Sequence, residues 1–424
     1  MFQSNPLWSA FPASAIDTSP VEPGETVDLA VVGAGFLGLS TALLAARIGL
    51  SVRVVEADRI GAGASGLNGG LIIPGLKHDP ETLEARFGAR GATIAAFGAG
   101  TADAVFSLIR SEAMDVPHTR AGWIQVAHTE AAMRRAENRV AQWRAHGAAV
   151  EMLDSAGIAR TTGAAGYLGG WIDRRAGTVD PLAFVRALAR TVIASGARVA
   201  ERTRVTELRR KGEGWRVETR GGVGFDAGKV VVATNAYSDG LLLGLSETIV
   251  PLNSFQIATA RMPEDLDSAI LPEGQAVSDS RRILLYYRRS PDGRFMLGGR
   301  GPMSGPRDAA DFAYLERAML RLYPALQGIA IEHRWSGRVG VTPNHLPHIH
   351  EPEPGLIAAI GCQGRGIGLM TALGARLAIY AAGGDARDLP FPVTPVRPIP
   401  FPRFRRLGVA GAIALYRTLD RLER

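Results

Sequence analysis

Hydrophobic and polar positions repeat with two different periods along this chain, and its first sixty residues already show both. V-D-L-A-V-V (27–32) is a nearly unbroken apolar run of the kind found in a buried strand. G-A-G-F-L-G follows at once, and then an alanine- and leucine-rich helical stretch to Gly49. A second strand, S-V-R-V-V-E, ends at Glu56. Strand, glycine turn, helix and strand in about thirty residues is the size of one βαβ unit. From Asp79 to Gly147 the pattern is helical, interrupted by A-G-W-I-Q-V-A-H (121–128), which reads as a strand. The segment 180–196 predicts a helix with Asp180 at its N-cap and Pro181 in the first turn.

A hairpin pattern over 204–219 precedes the buried strand K-V-V-V-A-T-N-A (229–236). Strand-like runs follow at 254–261, at R-I-L-L-Y-Y-R-R (282–289) and at G-R-F-M-L-G-G-R (293–300), the last two joined by the turn S-P-D-G. A second glycine cluster, G-C-Q-G-R-G-I-G (361–368), opens a final core helix. Residues 1–26 read as a polar arm and 386–424 as a proline-rich, basic, extended tail. No internal repeat is visible. The pattern predicts an α/β protein, α+β overall, and 424 residues suffice for two domains or one with an insertion.

Composition narrows the picture by exclusion. Cys362 is the single cysteine, which excludes an internal disulfide framework and any zinc site built on several thiolates. Of 48 basic residues only Lys77, Lys211 and Lys229 are lysines, so the net charge of +7 reads as arginine bias. No nucleic-acid-binding motif accompanies it, and nucleic acid is not expected as a partner. No secretory signal is visible and the longest apolar stretches are expected to fall short of a bilayer span, which points to a cytoplasmic protein. Weak membrane contact by the arginine-bearing tail stays open, beside the plainer reading of a packed terminal helix.

Gly33, Gly35 and Gly38 sit directly after a strand and open a helix, the context in which G-x-G-x-x-G has a mechanism. Gly33 makes the tight turn, Gly35 lets backbone approach a pyrophosphate, and Gly38 lets helix and strand pack closely. Glu56, at the end of the second strand, suits ribose hydroxyls and would repel a 2′-phosphate, which disfavours NADP. NAD and FAD share this fingerprint. The stretch G-A-S-G-L-N-G-G (63–70) favours FAD, because an extended FAD needs a second close backbone lining, with Ser65 and Asn68 as hydrogen-bonding candidates. An ordinary glycine loop is the alternative at this point.

Five stretches in order, D-L-A-V-V-G-A-G-F-L-G, E-A-D-R-I-G-A-G-A-S-G-L-N-G-G, V-V-V-A-T-N-A-Y, H-R-W-S-G-R and G-C-Q-G-R-G-I-G, together resemble the D-amino-acid oxidase (DAO) family of FAD enzymes. Within it the likeness is to the branch that oxidises gamma-glutamylputrescine. The resemblance implies a glutathione-reductase-type FAD-binding Rossmann domain (27–85, 152–240 and 330–385) and an inserted antiparallel-sheet substrate domain (86–151 and 241–329). It implies non-covalent FAD held along Gly33, Gly35, Phe36, Leu37, Glu56 and Ala57. The same resemblance assigns Ala64, Ser65, Asn68, Gly69 and Gly70 to the second glycine loop's share of the cofactor. It places Val205 near the adenine, Ala233 near the pyrophosphate, and Gly337, Gly364, Arg365, Gly366 and Ile367 near the flavin.

The chain departs from relatives at four positions. Leu67 stands where many carry arginine, and Arg365 where they often carry histidine. Gly337 replaces the cysteine that tethers FAD in covalent members, and Met296 aligns roughly with an oxygen-activating lysine. The implied chemistry is oxidation of a primary or secondary amine, or an amino acid, to an imine that hydrolyses to a carbonyl compound. Flavin carries the difficult step, so no strong general base is demanded. Trp335, Tyr287, Arg288, Arg365 and His78 are the candidate substrate residues, with Tyr286 and Trp123 beside them. Arg288 and Arg365 suit a carboxylate, because a guanidinium fork grips two oxygens. The partners expected are a small amine or amino acid and either O2 or another electron acceptor. Two rivals remain: a D-amino-acid or N-substituted-glycine dehydrogenase serving a quinone or carrier protein, and a non-catalytic flavin-binding subunit. T-P-N-H-L-P-H-I-H-E (342–351) gathers three histidines, but Pro347 breaks any helix that could align ligands, and no metal is expected.

Overall fold

The computed structural model describes residues 4–401 except 13, and in the C-terminal tail 404, 408, 409, 411, 413, 415, 416, 418 and 419. Strand β1 (Thr26–Val32), helix α1 (Phe36–Arg47) and strand β2 (Val52–Val55) form the expected βαβ unit. β1 lies between β2 and the strand Gly224–Val232, parallel to both. Arg198–Ala200 extends this sheet beside β2, and Leu356–Ile360 pairs in parallel with Gly224–Val232. The strands 205–211, 214–219 and 224–232 form an antiparallel meander on the same sheet. The β1 core is purely apolar because helices cover it: α1 and the helix Gly366–Ala381 pack so closely that a Cβ on Gly374 would lie 2.6 Å from the Leu37 carbonyl oxygen.

A second eight-stranded sheet runs in the order 331–341, 250–261, 294–300, 285–289, 276–279, 123–127, 169–173, 150–154. It is antiparallel except where Ala276–Asp279 pairs with Trp123–Ala127. One face carries Phe255, Ile257, Tyr287, Phe295 and Leu297 into a core closed by the helix Ala313–Leu322. The other face turns toward the first sheet. Alternation of side chains along a strand makes the two faces chemically distinct.

The boundaries drawn from sequence need correction in four places. Gly169–Asp173 and Ile331–Val341 hydrogen-bond into the second sheet, although 152–240 and 330–385 were expected to belong wholly to the FAD-binding portion. Conversely, the helices Ala89–Ala99 and Thr101–Ser111 pack Ile94, Ala102, Val105 and Ile109 into the core of the first sheet. The N-terminal arm is anchored: Trp8 is 1% exposed and its indole N–H donates to the Asn68 carbonyl at 2.8 Å. The start of the tail docks as well, with Leu389 and Phe391 buried and the Thr394 amide donating to Ile349 at 2.8 Å. Sequence also overlooked that Ala89–Ser111 is 23 residues long with mean hydropathy 1.5, enough to cross a bilayer by length and composition. Its apolar side is occupied by the core just described, and Gly100 divides it.

Under β2, Arg53 and Glu25 form a fully buried bidentate pair, Nε–Oε1 2.6 Å and Nη2–Oε2 2.7 Å, with Ser19 accepting from the same guanidinium. Removing one partner strands the other charge in low dielectric. Glu25→Ala should therefore destabilise the protein by about 3–5 kcal/mol, read from denaturant unfolding. A loss below about 1 kcal/mol would mean that water reaches Arg53.

Candidate active site

One cavity of about 1140 Å³ lies between the two sheets. Its first half is built by the βαβ unit. Gly33 has φ 106°, and a Cβ there would sit 3.2 Å from the Ala233 carbonyl oxygen. A Cβ on Gly38 would lie 1.9 Å from the Gly33 oxygen, so only glycine lets α1 start this close to β1. The N-terminus of α1 has no side-chain cap and opens on the cavity with its partial positive charge. Glu56 stands at the end of β2, where its carboxylate accepts the Ala34 amide at 2.9 Å and the Asp58 amide at 3.0 Å. It thereby fixes the glycine turn as well as facing the cavity.

Gly63–Gly70 forms the middle of the wall as a single helical turn, Ala64–Leu67, ended by Asn68. Asn68 donates to the Ala64 and Ser65 carbonyls at 3.0 and 2.9 Å, and its side-chain oxygen accepts the Gly70 amide at 2.9 Å. Ser65 accepts the Phe36 amide at 3.1 Å and thus ties this turn to the start of α1. Across the cavity, Asn235 accepts the Gly361 amide at 2.9 Å and joins the end of the central strand to the second glycine cluster. The helix Gly366–Ala381 also begins uncapped at the cavity wall.

The far half is roofed by the second sheet. Its site-facing positions are Trp123, Gln125, Ser254, Gln256, Ser278, Tyr286 and Arg300. Tyr286 lies against Gly298, donates or accepts with Ser254 Oγ at 2.7 Å, and has its phenol pushed up to about 12 by burial. Gln256 Nε2 donates to the Leu67 carbonyl at 2.6 Å. Lys77 projects into the cavity from the loop after Gly75 and has no hydrogen-bond or ion-pair partner among the described residues, nor has the Arg300 guanidinium. Arg139, another cation lining the cavity, is paired with Asp79 at 2.6 and 3.0 Å. Arg365 donates to the Pro74 carbonyl and lies over the Trp123 ring at 5.8 Å. The carboxylates lining the cavity, Glu56, Asp58 and Asp239, all belong to the first half.

With this geometry in view, comparison with known proteins is decisive. Residues 28–379 match the DAO family, described as FAD dependent oxidoreductase. The chain belongs to this family. Gamma-glutamylputrescine oxidoreductase of Escherichia coli K12 is 32% identical over 405 residues, 94% of this chain and 93% of the relative. A probable oxidoreductase, OrdL, of Rhizobium meliloti is 30% identical over 416 residues, 95% of this chain and 94% of the relative. Among solved structures, glycine oxidase from Geobacillus kaustophilus superposes with a TM-score of 0.74 at 22% identity, covering 87% of this chain and 99% of that one. L-proline dehydrogenase from P. horikoshii does so with 0.73 at 18% identity, covering 87% and 96%. The two structures share the fold.

This DAO-family protein is thus an FAD-dependent oxidoreductase. The cavity fits the cofactor: two helix N-termini whose own N-cap residues supply no side-chain cap face it, and a Cβ on Gly35 would close to 2.9 Å on Ser65 Oγ. Gly33, Gly35, Phe36, Leu37, Glu56, Ala57, Ala64, Ser65, Asn68 and Gly69 line this DAO cavity together, as do Val205, Ala233, Gly337, Gly364, Arg365, Gly366 and Ile367. Gly70 does not: φ 74° turns it away, and its carbonyl accepts from the Val179 amide and Arg288.

Four expected substrate residues are elsewhere. Trp335 is fully buried against Trp8 and donates to the Leu67 carbonyl at 3.0 Å. Tyr287 points to the opposite face of its strand, into the second core. Arg288 is 3% exposed and donates to the Gly70, Val179 and Arg289 carbonyls at 2.9, 2.8 and 2.9 Å. His78 lies outside the wall, bonded to the Asn344 carbonyl at 2.8 Å. Only Arg365 of that set reaches the cavity. Sequence reasoning passed over Lys77, Gln256 and Arg300. The period-2 register through Y-Y-R and M-L-G-G-R could have placed Arg300 with Tyr286, and the rarity of lysine could have flagged Lys77.

Proposed function

We propose that the chain oxidises an amine that also carries a carboxylate, giving an imine that hydrolyses to a carbonyl compound. One observation carries this reading: the substrate half of the cavity holds the Arg300 guanidinium, which has no ion-pair partner among the described residues, and the carboxylates among the described lining residues all belong to the other half. A half-buried guanidinium without a partner favours an anionic group beside it, so a site shaped this way is completed by one. The names of relatives support the amine: gamma-glutamylputrescine, itself an amine with a carboxylate, and glycine.

Bound FAD supplies the two-electron acceptor next to the substrate carbon. Gly33, Gly35 and the α1 N-terminus would hold its pyrophosphate, Glu56 its ribose, and the start of Gly366–Ala381 with Arg365 the electron-rich end of its ring. Arg365 stays charged there, although burial and neighbouring Arg139 push its pKa down to about 10. Arg300 would grip the carboxylate, and the aromatic Tyr286 and Trp123 would shape the pocket and exclude water.

FAD is held without a covalent bond in this reading. Gly337 offers no thiol, and the buried Cys362 is turned to the Gly340 carbonyl. Acid precipitation should leave the flavin in the supernatant; colour in the pellet would contradict it. A second reading concerns the acceptor. Met296, at the position that aligns with the oxygen-activating lysine of relatives, is a buried methionine off the cavity wall, and on that ground the second reading is a quinone or carrier protein.

The function is tested by anaerobic bleaching of the flavin with gamma-glutamylputrescine, N-alkyl glycines, D-amino acids and putrescine. Carboxylate-bearing amines should reduce it and putrescine should do so far more slowly. If nothing on the panel bleached it, the reading would fail. Reoxidation by O2 against a soluble quinone then decides the acceptor.

A further inference from the structure

Flavin oxidises neutral amines, whereas an aliphatic amine in water at pH 7 is almost wholly ammonium. A site for such a substrate must therefore take one proton from nitrogen before or as the C–H bond breaks. The carboxylates among the described lining residues, Glu56, Asp58 and Asp239, lie in its dinucleotide half.

We propose that Lys77 Nζ is the proton acceptor for the substrate ammonium, a role resting on the amine-oxidation reading above. One N–H bond of the substrate breaks, one forms on Lys77, and no electrons are exchanged. The proton then leaves through the open cavity. Three observations converge on this residue. Its side chain projects into the substrate half without a hydrogen-bond or ion-pair partner among the described residues, so its lone pair is available when it is neutral. The groups that face it are cationic: Arg365 at the start of the last helix, Arg139 of the helix Glu130–Ala145, and Arg300 of the second sheet. His345 lies on the same wall, and the Cys362 thiol acts weakly in the opposite sense. Third, this chain places arginine at nearly every basic position, yet here it keeps a lysine. Arginine would serve as well for charge alone, but only lysine can lose its proton near neutrality.

The position of Lys77 accounts for the protonation it needs. Its side chain is accessible through the cavity, and desolvation by the surrounding walls with the three guanidinium groups pushes its pKa down to about 7. Lys77 is thus neutral above that pH and able to accept a proton there.

The test uses the FAD-loaded enzyme and whichever panel amine reduces wild type fastest. The limiting rate of anaerobic flavin reduction should rise with pH through an apparent pKa near neutrality. In Lys77→Met that limb should move to the pKa of the substrate amine, with a rate at pH 7 lower by about 10²- to 10³-fold and nearly restored at pH 10. Lys77→Arg should behave like Lys77→Met. Binding of glutarate, which has carboxylates but no amine, is read from the flavin absorbance and should change less than about threefold in Lys77→Met above pH 8. A variant that kept the wild-type limb would overturn the assignment. So would rescue by Lys77→Arg with weakened glutarate binding in Lys77→Met, which would make Lys77 a carboxylate anchor. If no variant at 77 held FAD, including Lys77→Gln, the residue would be structural and the proposal would fall. Failure of every amine to reduce wild type would instead sink the underlying amine reading.

Discussion

Replacing Arg288 by methionine should yield a protein that retains little FAD and unfolds at markedly lower denaturant. The guanidinium is a brace between segments far apart in sequence. Nη1 donates to the Gly70 carbonyl at 2.9 Å and the Val179 carbonyl at 2.8 Å, with Gly69 at 3.5 Å, while Nε donates to the Arg289 carbonyl at 2.9 Å. It also lies over the Trp8 ring at 5.5 Å, which in turn holds Asn68. Methionine fills comparable space but removes all of these donations; the Gly70 carbonyl keeps the Val179 amide, and each buried acceptor left unpaired costs about 1–3 kcal/mol. Two or three such losses consume much of the stability of a typical fold, about 5–15 kcal/mol. The segment released first is Gly69–Gly70, the end of the second glycine loop, so the flavin half of the cavity should loosen before the dinucleotide half. Lysine at 288 reaches fewer carbonyls and should recover only part. The flavin-to-protein absorbance ratio and a denaturation curve measure both effects. A variant with full FAD, unchanged stability and only a raised KM would show instead that Arg288 meets the substrate.

That contrast shows where the sequence was readable. The βαβ unit and its glycines were legible because each has a local cause: Gly38 admits no Cβ against the Gly33 oxygen, and Glu56 must close β2. The 181–194 helix was legible from its cap, as Asp180 accepts the Leu182 and Ala183 amides. The substrate wall was not, because it depends on which face of a long-range sheet each strand presents. Tyr286 and Tyr287 are adjacent and chemically equal, yet register with 294–300 sends one to the cavity and the other to the core. A slip of one position exchanges the two faces. Trp335 and Arg288 do lie on the site-facing side, but the N-terminal arm covers them, and nothing local in L-W-S-A announces that Trp8 folds back to Asn68. Asn68 illustrates the remaining gap: its type suggested a ligand to the cofactor, while its three hydrogen bonds go to its own loop.

Arg300→Met should have the opposite signature to Arg288→Met, with FAD and stability kept and substrate affinity lost. Arg300 sits at the end of its strand, half-buried, directly across from Ser254, and its guanidinium meets no carboxylate among the described residues. Burial pushes its pKa down, but an arginine starts so high that it remains charged throughout the working range. Removing it should raise KM for a carboxylate-bearing amine by about 30- to 1000-fold, the range for a buried charge pair, with kcat changed far less. Lysine should restore part of the affinity, since it keeps the charge and loses the fork. Putrescine, which has no carboxylate, supplies the control. An equal loss on putrescine would mean that Arg300 shapes the pocket and does not bind charge. The same substitution bears on Lys77, because Arg300 is one of three cations that make Lys77 easier to deprotonate. Without it Lys77 holds its proton to higher pH, so the neutral limb of the reduction profile should shift upward in Arg300→Met. Saturating substrate would hide the affinity defect but not that shift, which separates the carboxylate-binding role of Arg300 from its electrostatic effect on Lys77.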